Sequence, residues 1–385
     1  MPEQINVAEP TVGDEEVERV EEVIRSGMYV SGENVEQFEE EFSSFVGTGH
    51  MAALNSGTAA IHLALEALGL GPGDEVIVPS LTFFSTATAA LHQNVVPRFS
   101  DIDPDIYNME PESVKEQITD STKAIIPVHL YGHPCDMDPL MEIAEDHDLA
   151  VIEDCAQSHG AKYKGKVTGS IGDAGAFSFF ATKNMTTGEG GGVTSDNKEL
   201  IERIKKTRSH GMTDRNTHKF LGYNYRMTEL SGAMGLAQMN RIERLNEKRS
   251  EYSRYLLKNL RDVSWLKMPT VKSWAEHSWF WFPVRVLEDK IGKDTLKVRE
   301  ELSEKGVETR FRYTEPLYNQ PLLLNKNPYP KNFPYSSKFY REHIDYSEYN
   351  LENVERIAGT MIGLPNHPNM NYDQLDRVIE VVKSV

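Results

Sequence analysis

Residues 55–80 read NSGTAAIHLALEALGLGPGDEVIVPS, and this stretch decides the fold class. Residues 58–68 have the composition of a buried helix, residues 69–74 form the glycine-rich turn that ends it, and residues 75–79 are an apolar strand. Further short apolar runs, separated by helical or turn segments, occupy residues 123–130, 149–154, 175–180 and 191–195. Strands that alternate with helices predict an α/β fold with a mainly parallel, doubly wound sheet.

The second part of the chain has a different pattern. Residues 237–260 have the spacing of one long, charged amphipathic helix. They are followed by a strand-like run at 279–286 and two helical segments at 294–305 and 351–358. A chain of 385 residues is long for a single core. We therefore predict a large domain over residues 1–245 and a small C-terminal α+β domain over residues 246–385.

Composition restricts the class of protein. The formal net charge of −18 repels nucleic-acid phosphates. No apolar run is long enough to span a bilayer, and the polar N-terminal residues do not resemble a secretion signal. Cys135 and Cys155 form no CxxC pair, which favours a reducing cytosol over a disulfide or zinc framework. We expect a cytoplasmic protein with no metal, membrane or nucleic-acid partner.

One region is basic despite the acidic total. Residues 203–226 contain seven basic side chains and the single acid Asp214; the seven are Arg203, Lys205, Lys206, Arg208, Arg215, Lys219 and Arg226. Two interpretations remain open: a solvated basic face, or a local positive potential for an anionic ligand.

Residues 151–192 contain the most informative chemistry. Asp154 ends an apolar strand, and ligands of open α/β sheets bind at that end of the strands. Lys183 follows a second apolar run, where burial favours the neutral amine that attacks aldehydes. Pyridoxal phosphate needs this combination, a lysine for its aldehyde and an acid for its pyridinium nitrogen. Taken singly, Asp154 also fits a helix cap or an ion pair, and Lys183 also fits a surface lysine.

Two neighbouring features fit the same cofactor. The turn that contains Gly57 and Thr58 precedes a buried helix, whose N-terminal N–H groups can bind a phosphate. Phe83 lies just beyond the strand 75–79, where it can cover one face of a planar ring. The alternatives are ordinary helix capping for the turn and a core position for Phe83.

The chain resembles the DegT-type sugar-nucleotide aminotransferase family of the fold type I pyridoxal-phosphate enzymes. The matching segments span most of the chain and read NSGTAA, GDEVIVPSLTF, VHLYGHPCDM, VIEDCAQSHGA, AFSFFATKNMTTGEGG and GYNYRMTEL. The segment ATKNMTTGEGG is most similar to members of the perosamine synthase type. The resemblance implies a fold type I aminotransferase.

The resemblance also implies roles for individual residues. Lys183 would form the Schiff base and shuttle the proton, and Asp154 would face the pyridine nitrogen. Gln157 would hydrogen-bond the phenolic oxygen, and Phe83 would stack on the ring. The remaining cofactor-binding residues would hold the phosphate, with the last one contributed by the partner subunit of a homodimer; they are Gly57, Thr58, Ser178 and Asn224.

The implied reaction moves an amino group from glutamate to a nucleotide-diphosphate keto-6-deoxy sugar, with amination at C4 favoured. Arg226 and Lys219 are the candidates for contact with the diphosphate or sugar. Tyr318 is a further candidate in the loop 308–323, at a position where many relatives have histidine. His159 either lines the pocket or packs in the core. The alternatives are a 3-keto sugar or keto-cyclitol aminotransferase, and a catalytically silent binding or regulatory protein of the same fold.

Overall fold

A seven-stranded sheet forms the centre of the computed structural model, which describes residues 4–214 and 216–385. Three smaller sheets contain the remaining strands. In chain order, all the strands of the described residues are β1 (His50–Leu54), β2 (Glu75–Pro79), β3 (Val96–Ser100), β4 (Thr122–Ile125), β5 (Ala150–Asp154), β6 (Lys162–Tyr163), β7 (Lys166–Val167), β8 (Ala174–Ser178), β9 (Gly191–Ser195), β10 (Met212–Asp214), β11 (Thr217–His218), β12 (Leu266–Lys267), β13 (Ala275–Glu276), β14 (Phe282–Val286) and β15 (Met361–Leu364).

Helices cover the central sheet and also pack around a second, C-terminal sheet. They are α1 (Asp14–Ser26), α2 (Glu33–Val46), α3 (Gly57–Ala67), α4 (Ser85–His92), α5 (Pro111–Gln117), α6 (Met137–Asp146), α7 (Lys198–Thr207), α8 (Glu229–Met239), α9 (Ile242–Leu260), α10 (Glu288–Ile291), α11 (Thr295–Glu304), α12 (Pro321–Leu324), α13 (Glu352–Ile357) and α14 (Tyr372–Lys383). None of the helices in the described part of the chain has the length and apolar character needed to cross a membrane.

The order of strands in the central sheet is β1-β9-β8-β5-β4-β2-β3. Strands β3, β2, β4, β5 and β8 pair in parallel, whereas β9 is antiparallel to both of its neighbours. The prediction of an α/β fold with a mainly parallel sheet is therefore confirmed. Because β9 reverses the direction between β1 and β8, the carboxyl ends of β1, β2, β5 and β8 lie at one edge of the sheet.

Helix α3 shows why residues 59–65 are apolar except for His62. Residues 59–65 of this helix are all buried. The helix packs on β8 and β9 and is flanked by α4 and α7. A helical segment enclosed in this way needs little polar surface, because residues 59–65 do not meet solvent.

A second hydrophobic core surrounds the three-stranded sheet β12-β14-β15 and includes residues of α9, α11 and α14. Ile5 also belongs to this core. Its N–H donates to the carbonyl of Gly306 at 2.8 Å, and its carbonyl accepts from the N–H of Glu308 at 3.0 Å, so it forms a parallel bridge with Val307. A segment close to the N-terminus thus packs with the C-terminal part of the chain.

The predicted boundary at residues 245 and 246 falls within α9, near its start. Some residues that follow this boundary also pack with the core of the central sheet. Leu317, Tyr346 and Ile357 pack with the core of the central sheet, although they lie in the predicted small domain.

The single helix predicted over residues 237–260 is interrupted. Helix α8 ends at Met239 and α9 begins at Ile242, and the backbone of Arg241 is not helical. The Arg241 guanidinium donates to both carboxylate oxygens of Glu16 on α1, at 2.7 and 2.8 Å. The residue at the break therefore contacts a helix that is distant in sequence, and helical spacing alone does not reveal such a contact.

Candidate active site

Four strand ends bring the predicted cofactor residues to one edge of the central sheet. Asp154 is the last residue of β5 and lies opposite Ala176 of β8. Ser178, the last residue of β8, lies opposite Gly191, which in turn lies opposite Leu54 at the end of β1. The chain then enters α3 through Ser56 and Gly57. The register of these strands therefore assembles residues that are more than a hundred positions apart.

A cavity of about 360 Å³ opens at this edge. It is lined by seven of the predicted cofactor residues, namely Gly57, Thr58, Phe83, Asp154, Gln157, Ser178 and Lys183. Phe83 is 54% exposed although it is a large aromatic residue, so it is a wall of the cavity and not a core residue. The predicted residues Asn224, Lys219 and Arg226 do not line this cavity.

The side-chain amine of Lys183 is an unusually weak base for a lysine. Burial lowers the pKa of its amine from 10.5 to about 8, the Asp154 carboxylate opposes that change, and the nearby cations Arg310 and Arg312 add to it. Its Nζ lies 4.7 Å from the centre of the Phe280 ring. The amine is therefore available in its neutral, nucleophilic form near physiological pH.

Asp154 is held rigidly at the base of the cavity. Its Oδ2 accepts a hydrogen bond from the Thr86 hydroxyl at 2.9 Å, and its Oδ1 accepts from the Ala156 N–H at 3.1 Å. Burial raises the pKa of Asp154, while these two hydrogen bonds and the Lys183 cation oppose the increase. A buried carboxylate with no ion-pair partner of its own among the described residues fits a cationic group that enters the cavity.

A buried pair supports the strand that ends in Asp154. His129 Nδ1 accepts from the Cys135 N–H at 2.9 Å, so its Nε2 carries the proton and donates to Glu153 at 2.9 Å. Glu153 also accepts from the backbone N–H groups of residues 169, 171 and 172. Burial alone would raise the pKa of Glu153, but these hydrogen bonds outweigh it and lower the pKa. The backbone N–H of His129 donates to the backbone carbonyl of Asp154 at 3.2 Å.

Gln157 connects two walls of the cavity. Its Oε1 accepts from the Tyr131 N–H at 2.9 Å, and its Nε2 donates to the Tyr313 hydroxyl at 3.0 Å. Tyr131 stacks on Trp281, with ring centres 5.2 Å apart. The amide therefore has a structural function in addition to any contact with a ligand.

The turn before α3 is shaped for an anion. Ser56 caps the helix by accepting from the Ala59 N–H at 3.2 Å, which leaves the N–H groups of Gly57 and Thr58 at the helix start. A Cβ on Gly57 would lie 2.6 Å from the Cβ of Ser178. Only glycine allows the helix start to approach Ser178 this closely, and Gly57, Thr58 and Ser178 all line the same cavity.

These groups fit pyridoxal phosphate. Lys183 offers the amine for the aldehyde, Asp154 offers the buried acid for the ring nitrogen, and the turn at Gly57 offers donors for the phosphate. The exposed ring of Phe83 offers a flat apolar surface between them. The ends of the strands and the loops that follow them bring all of these residues into one cavity.

The structure adds cavity residues that the sequence interpretation did not single out. Phe280, Trp281, Arg310, Arg312 and Tyr313 form the wall contributed by the C-terminal half of the chain. The last three lie in the loop 308–323, which the sequence interpretation had assigned to the substrate. Two arginines so close together in a chain of net charge −18 are the signal that could have identified them.

Within that loop, the structure corrects the choice of Tyr318. Its side chain is fully buried, and its hydroxyl donates to Glu355 at 2.7 Å. It stacks on Tyr349 in the core beside the central sheet and does not line the cavity. His159 is likewise fully buried, and its ring packs between Phe177 and Phe179. Of its two proposed roles, the structure places His159 in the packing role.

In the fold, ion pairs with acidic residues neutralise several of the basic side chains of region 203–226. Arg203 forms an ion pair with Glu66, and Lys205 and Arg208 both contact Glu39. These three residues follow the simpler interpretation, in which basic side chains are neutralised by the acidic surface. Arg215 lies outside the described residues. Lys206, Lys219 and Arg226 have no ion-pair partner among the described residues.

The fold and this site define a pyridoxal-phosphate-dependent aminotransferase of fold type I. The chain belongs to the DegT/DnrJ/EryC1/StrS aminotransferase family, whose sequence model matches residues 10–383. It is 36% identical to a GDP-perosamine synthase of Caulobacter vibrioides over 386 residues, which cover 99% of this chain and 98% of the relative. The predicted family, enzyme class and cofactor are thereby confirmed.

Solved structures agree with this assignment. The DesV structure of S. venezuelae, in complex with a ketimine intermediate, superposes with a TM-score of 0.86 at 32% identity and covers 96% of this chain and 94% of DesV. The structure of Spr1654 from Streptococcus pneumoniae, in its PLP form, has a TM-score of 0.88 at 27% identity, and the match covers 99% of this chain and 98% of Spr1654. The fold type I prediction is confirmed by these neighbours.

Proposed function

We propose that this enzyme transfers an amino group from glutamate to C4 of a nucleotide-diphosphate 4-keto-6-deoxy sugar. The observation that carries the proposal is the cavity lined by Lys183 and Asp154, because two cationic side chains, Arg310 and Arg312, line it as well. The similarity to a GDP-perosamine synthase over nearly the whole chain supports the substrate class. The runners-up are a 3-keto sugar and a keto-cyclitol.

In this proposal, each residue has a defined task. Bound pyridoxal phosphate supplies a reactive aldehyde carbon and an electron-withdrawing ring. Lys183 moves a proton between its Nζ and the carbon of the substrate that gains or loses the amino group. Asp154, fixed by the Thr86 hydroxyl, would keep a proton on the ring nitrogen of the bound cofactor. Phe280 and Trp281 exclude water from the amine.

We also propose a homodimer whose active sites are shared. Met28, Tyr29 and Val30 are more than half exposed, which is unusual for three adjacent apolar residues. They lie beside the segment that contains Asn224, since the Tyr29 carbonyl accepts from the Glu229 N–H at 3.2 Å and the Ser31 hydroxyl donates to the Met227 carbonyl. In this arrangement, Asn224 contacts the partner's phosphate, and Lys219 and Arg226 contact the partner's substrate.

The proposed compartment is the cytosol. Cys135 and Cys155 are both buried and free. Free thiols of this kind persist in a reducing environment, and the surface charge of −18 keeps the protein apart from nucleic acid.

A substrate screen tests the proposal. Purified enzyme is incubated with glutamate and a panel of 4-keto-6-deoxy sugars on GDP, UDP and dTDP, together with 3-keto sugar nucleotides and a free keto-cyclitol. Mass spectrometry detects the aminated product, NMR identifies the carbon, and the Lys183→Ala protein serves as the control. We expect amination at C4 of a nucleotide-linked sugar. Amination of the cyclitol alone, or of C3 alone, would replace this substrate with a runner-up.

A further inference from the structure

A buried glutamate lies in one of the two strands that carry the predicted cofactor residues. Strand β5 ends in Asp154, which we assign to the ring nitrogen, and β8 ends in Ser178, which we assign to the phosphate. Glu153 precedes Asp154 in β5, so its side chain points to the opposite face of the sheet. Glu153 and its hydrogen-bond partner His129 are completely buried, and neither side chain lines the cavity.

The position of β5 relative to β8 decides whether one cofactor can reach both assigned residues. In pyridoxal phosphate a short arm joins the phosphate to the ring, so the distance between the phosphate and the ring nitrogen varies little. A slip of β8 by one residue would move Ser178 by about 3.3 Å and turn its side chain to the other face. The cofactor would then contact Asp154 or Ser178, but not both.

The two strands specify this register weakly by themselves. They pair at three positions, where β8 contributes Ala174, Gly175 and Ala176. Strands made of such small residues have few side-chain contacts that resist a slip. A Cβ on Gly175 would lie 2.4 Å from the Cα of Gly169, so the turn before β8 packs directly on this strand. Contacts made by that turn can therefore fix the register.

Glu153 holds the turn against β5. Its Oε2 accepts from the Gly169 N–H at 2.9 Å, and its Oε1 accepts from the N–H groups of Ile171 and Gly172 at 2.7 and 2.9 Å. The fourth donor is Nε2 of His129, at 2.9 Å, on the segment that continues β4 alongside β5. One carboxylate therefore connects the turn that leads into β8, the end of β5 and the continuation of β4.

We propose that Glu153 and His129 are positioning residues that set the distance between the two ends of the cofactor site. They fix the register of β5 and β8 from the face of the sheet opposite the Asp154 side chain. This register places Asp154 and Ser178 at the spacing that pyridoxal phosphate requires. The inference rests on the proposed assignment of Asp154 to the ring nitrogen and of Ser178 to the phosphate.

Two probes distinguish a changed spacing from a damaged site. Pyridoxal phosphate contacts both ends of the site, whereas inorganic phosphate contacts only the end at Ser178. Both are titrated into the full-length protein after removal of cofactor, with Schiff-base absorbance for the first and phosphorus NMR for the second. We expect Glu153→Gln, which replaces an acceptor oxygen by a donor, to bind pyridoxal phosphate about tenfold more weakly or worse. Its affinity for inorganic phosphate should stay at the wild-type value.

Glu75→Gln is the matched control, because Glu75 is also a completely buried acid of the central sheet. It is the first residue of β2, at the edge of the sheet away from the cavity, and accepts from Arg98, Thr119 and Tyr340. Its replacement should destabilise the fold and leave the affinity for both probes unchanged. Ser178→Ala is the positive control for the phosphate end, and it should weaken both probes.

His129 provides a second comparison, between a conservative and a disruptive change. His129→Gln retains an N–H donor near the position of Nε2, whereas His129→Leu removes it. We expect the leucine variant to resemble Glu153→Gln and the glutamine variant to recover most of the affinity for pyridoxal phosphate. If Glu153→Gln does not fold, the two His129 variants decide.

The outcomes separate this inference from the assignments beneath it. Unchanged affinity for pyridoxal phosphate in the Glu153 and His129 variants overturns the positioning role. An equal loss for both probes also overturns it, because the pair would then support the whole site and not its spacing. A loss of the same size in Glu75→Gln has the same consequence. If Ser178→Ala leaves phosphate binding unchanged, the assignment of Ser178 fails and the inference fails with it.

Discussion

Thr86 is the residue through which the fold controls Asp154. Its hydroxyl is fully buried and donates to the carboxylate at 2.9 Å. Replacement by valine keeps the branched shape and removes the donor, at a cost of about 1–1.5 kcal/mol. We therefore expect Thr86→Val to lower kcat about tenfold and to shift the pH dependence of the absorbance of the bound cofactor.

Thr86→Ser is the matched control, because it retains the hydroxyl and loses only a methyl group. We expect it to recover most of kcat and the wild-type absorbance profile. Equal effects of the serine and valine replacements would mean that packing, and not the hydrogen bond, accounts for the role of Thr86.

The lowered pKa of Lys183 gives a pH dependence with a defined sign. Because the pKa falls from 10.5 to about 8, the amine becomes neutral above about pH 8, where an ordinary lysine is still charged. In the cofactor-free protein, acylation of Lys183 should rise through that pH to a plateau, as measured by mass spectrometry of its peptide. Arg312→Met should move the midpoint upward, since Arg312 is one of the cations that lower this pKa.

The peptide that contains the exposed Lys258 is an internal standard for the same experiment. Its acylation should keep rising at pH values where that of Lys183 has already levelled off. Coincident profiles for the two lysines would contradict a lowered pKa at Lys183.

At the scale of elements, helix α2 depends on a side chain that is distant in sequence. Its N-cap is Gly32, which has no side chain to cap the helix. The buried carboxylate of Glu229 accepts from the N–H groups of Gly32, Asn34 and Val35 at 2.6, 3.0 and 3.0 Å. Glu229→Gln replaces one acceptor oxygen by a donor, so we expect it to reduce the free energy of unfolding by about 2–3 kcal/mol.

Urea denaturation measures this loss, and Glu33→Gln is the control, because Glu33 is an exposed acid in the first turn of the same helix. Like Glu229→Gln, the control removes one negative charge beside the N-terminus of α2. Only Glu229 supplies acceptors to the three N–H groups, so a similar small loss in both variants would reject its capping role.

Sequence patterns identified those elements whose signal is local. The strand predicted over residues 75–79 has the bounds of β2, because an apolar run between turn signals is sufficient there. The pattern did not reveal that β9 runs antiparallel, since direction depends on the register with β1 and β8. The break at Arg241 was missed for a similar reason: its cause is Glu16, which belongs to another helix.

The same distinction holds within the active site. Lys183, Asp154 and Gln157 lie in motifs that can be recognised in the sequence, and the structure places all three in the cavity. Tyr318 is a candidate because many relatives have histidine at its position, but its side chain is fully buried in the core beside the central sheet. Arg310 and Arg312 were overlooked because only the fold shows that their side chains line the same cavity as Lys183.

At the scale of the whole molecule, the proposed sharing of sites predicts complementation between inactive chains. A Lys183→Ala chain and an Asn224→Ala chain are each expected to be inactive or nearly so as homodimers. In the mixed dimer, one site contains both changes and the other contains neither. We therefore expect activity near half that of the wild-type dimer, measured on mixed dimers isolated with two different affinity tags.

Asn224 is suited to this experiment because its side chain is exposed and lies outside the cavity of its own chain. Its replacement should leave the stability of the subunit unchanged. Verified mixed dimers without activity would show that each chain completes its own site.

The pairing of Ile5 with Val307 has a consequence for synthesis of the protein. Ile5 leaves the ribosome about 300 residues before its partner, which at typical elongation rates is an interval of roughly 15–60 seconds. During translation, the central sheet can therefore assemble while this early segment has nothing to pair with. The second core closes only once α14 has been made, because Leu375, Val378 and Val382 of this helix belong to it.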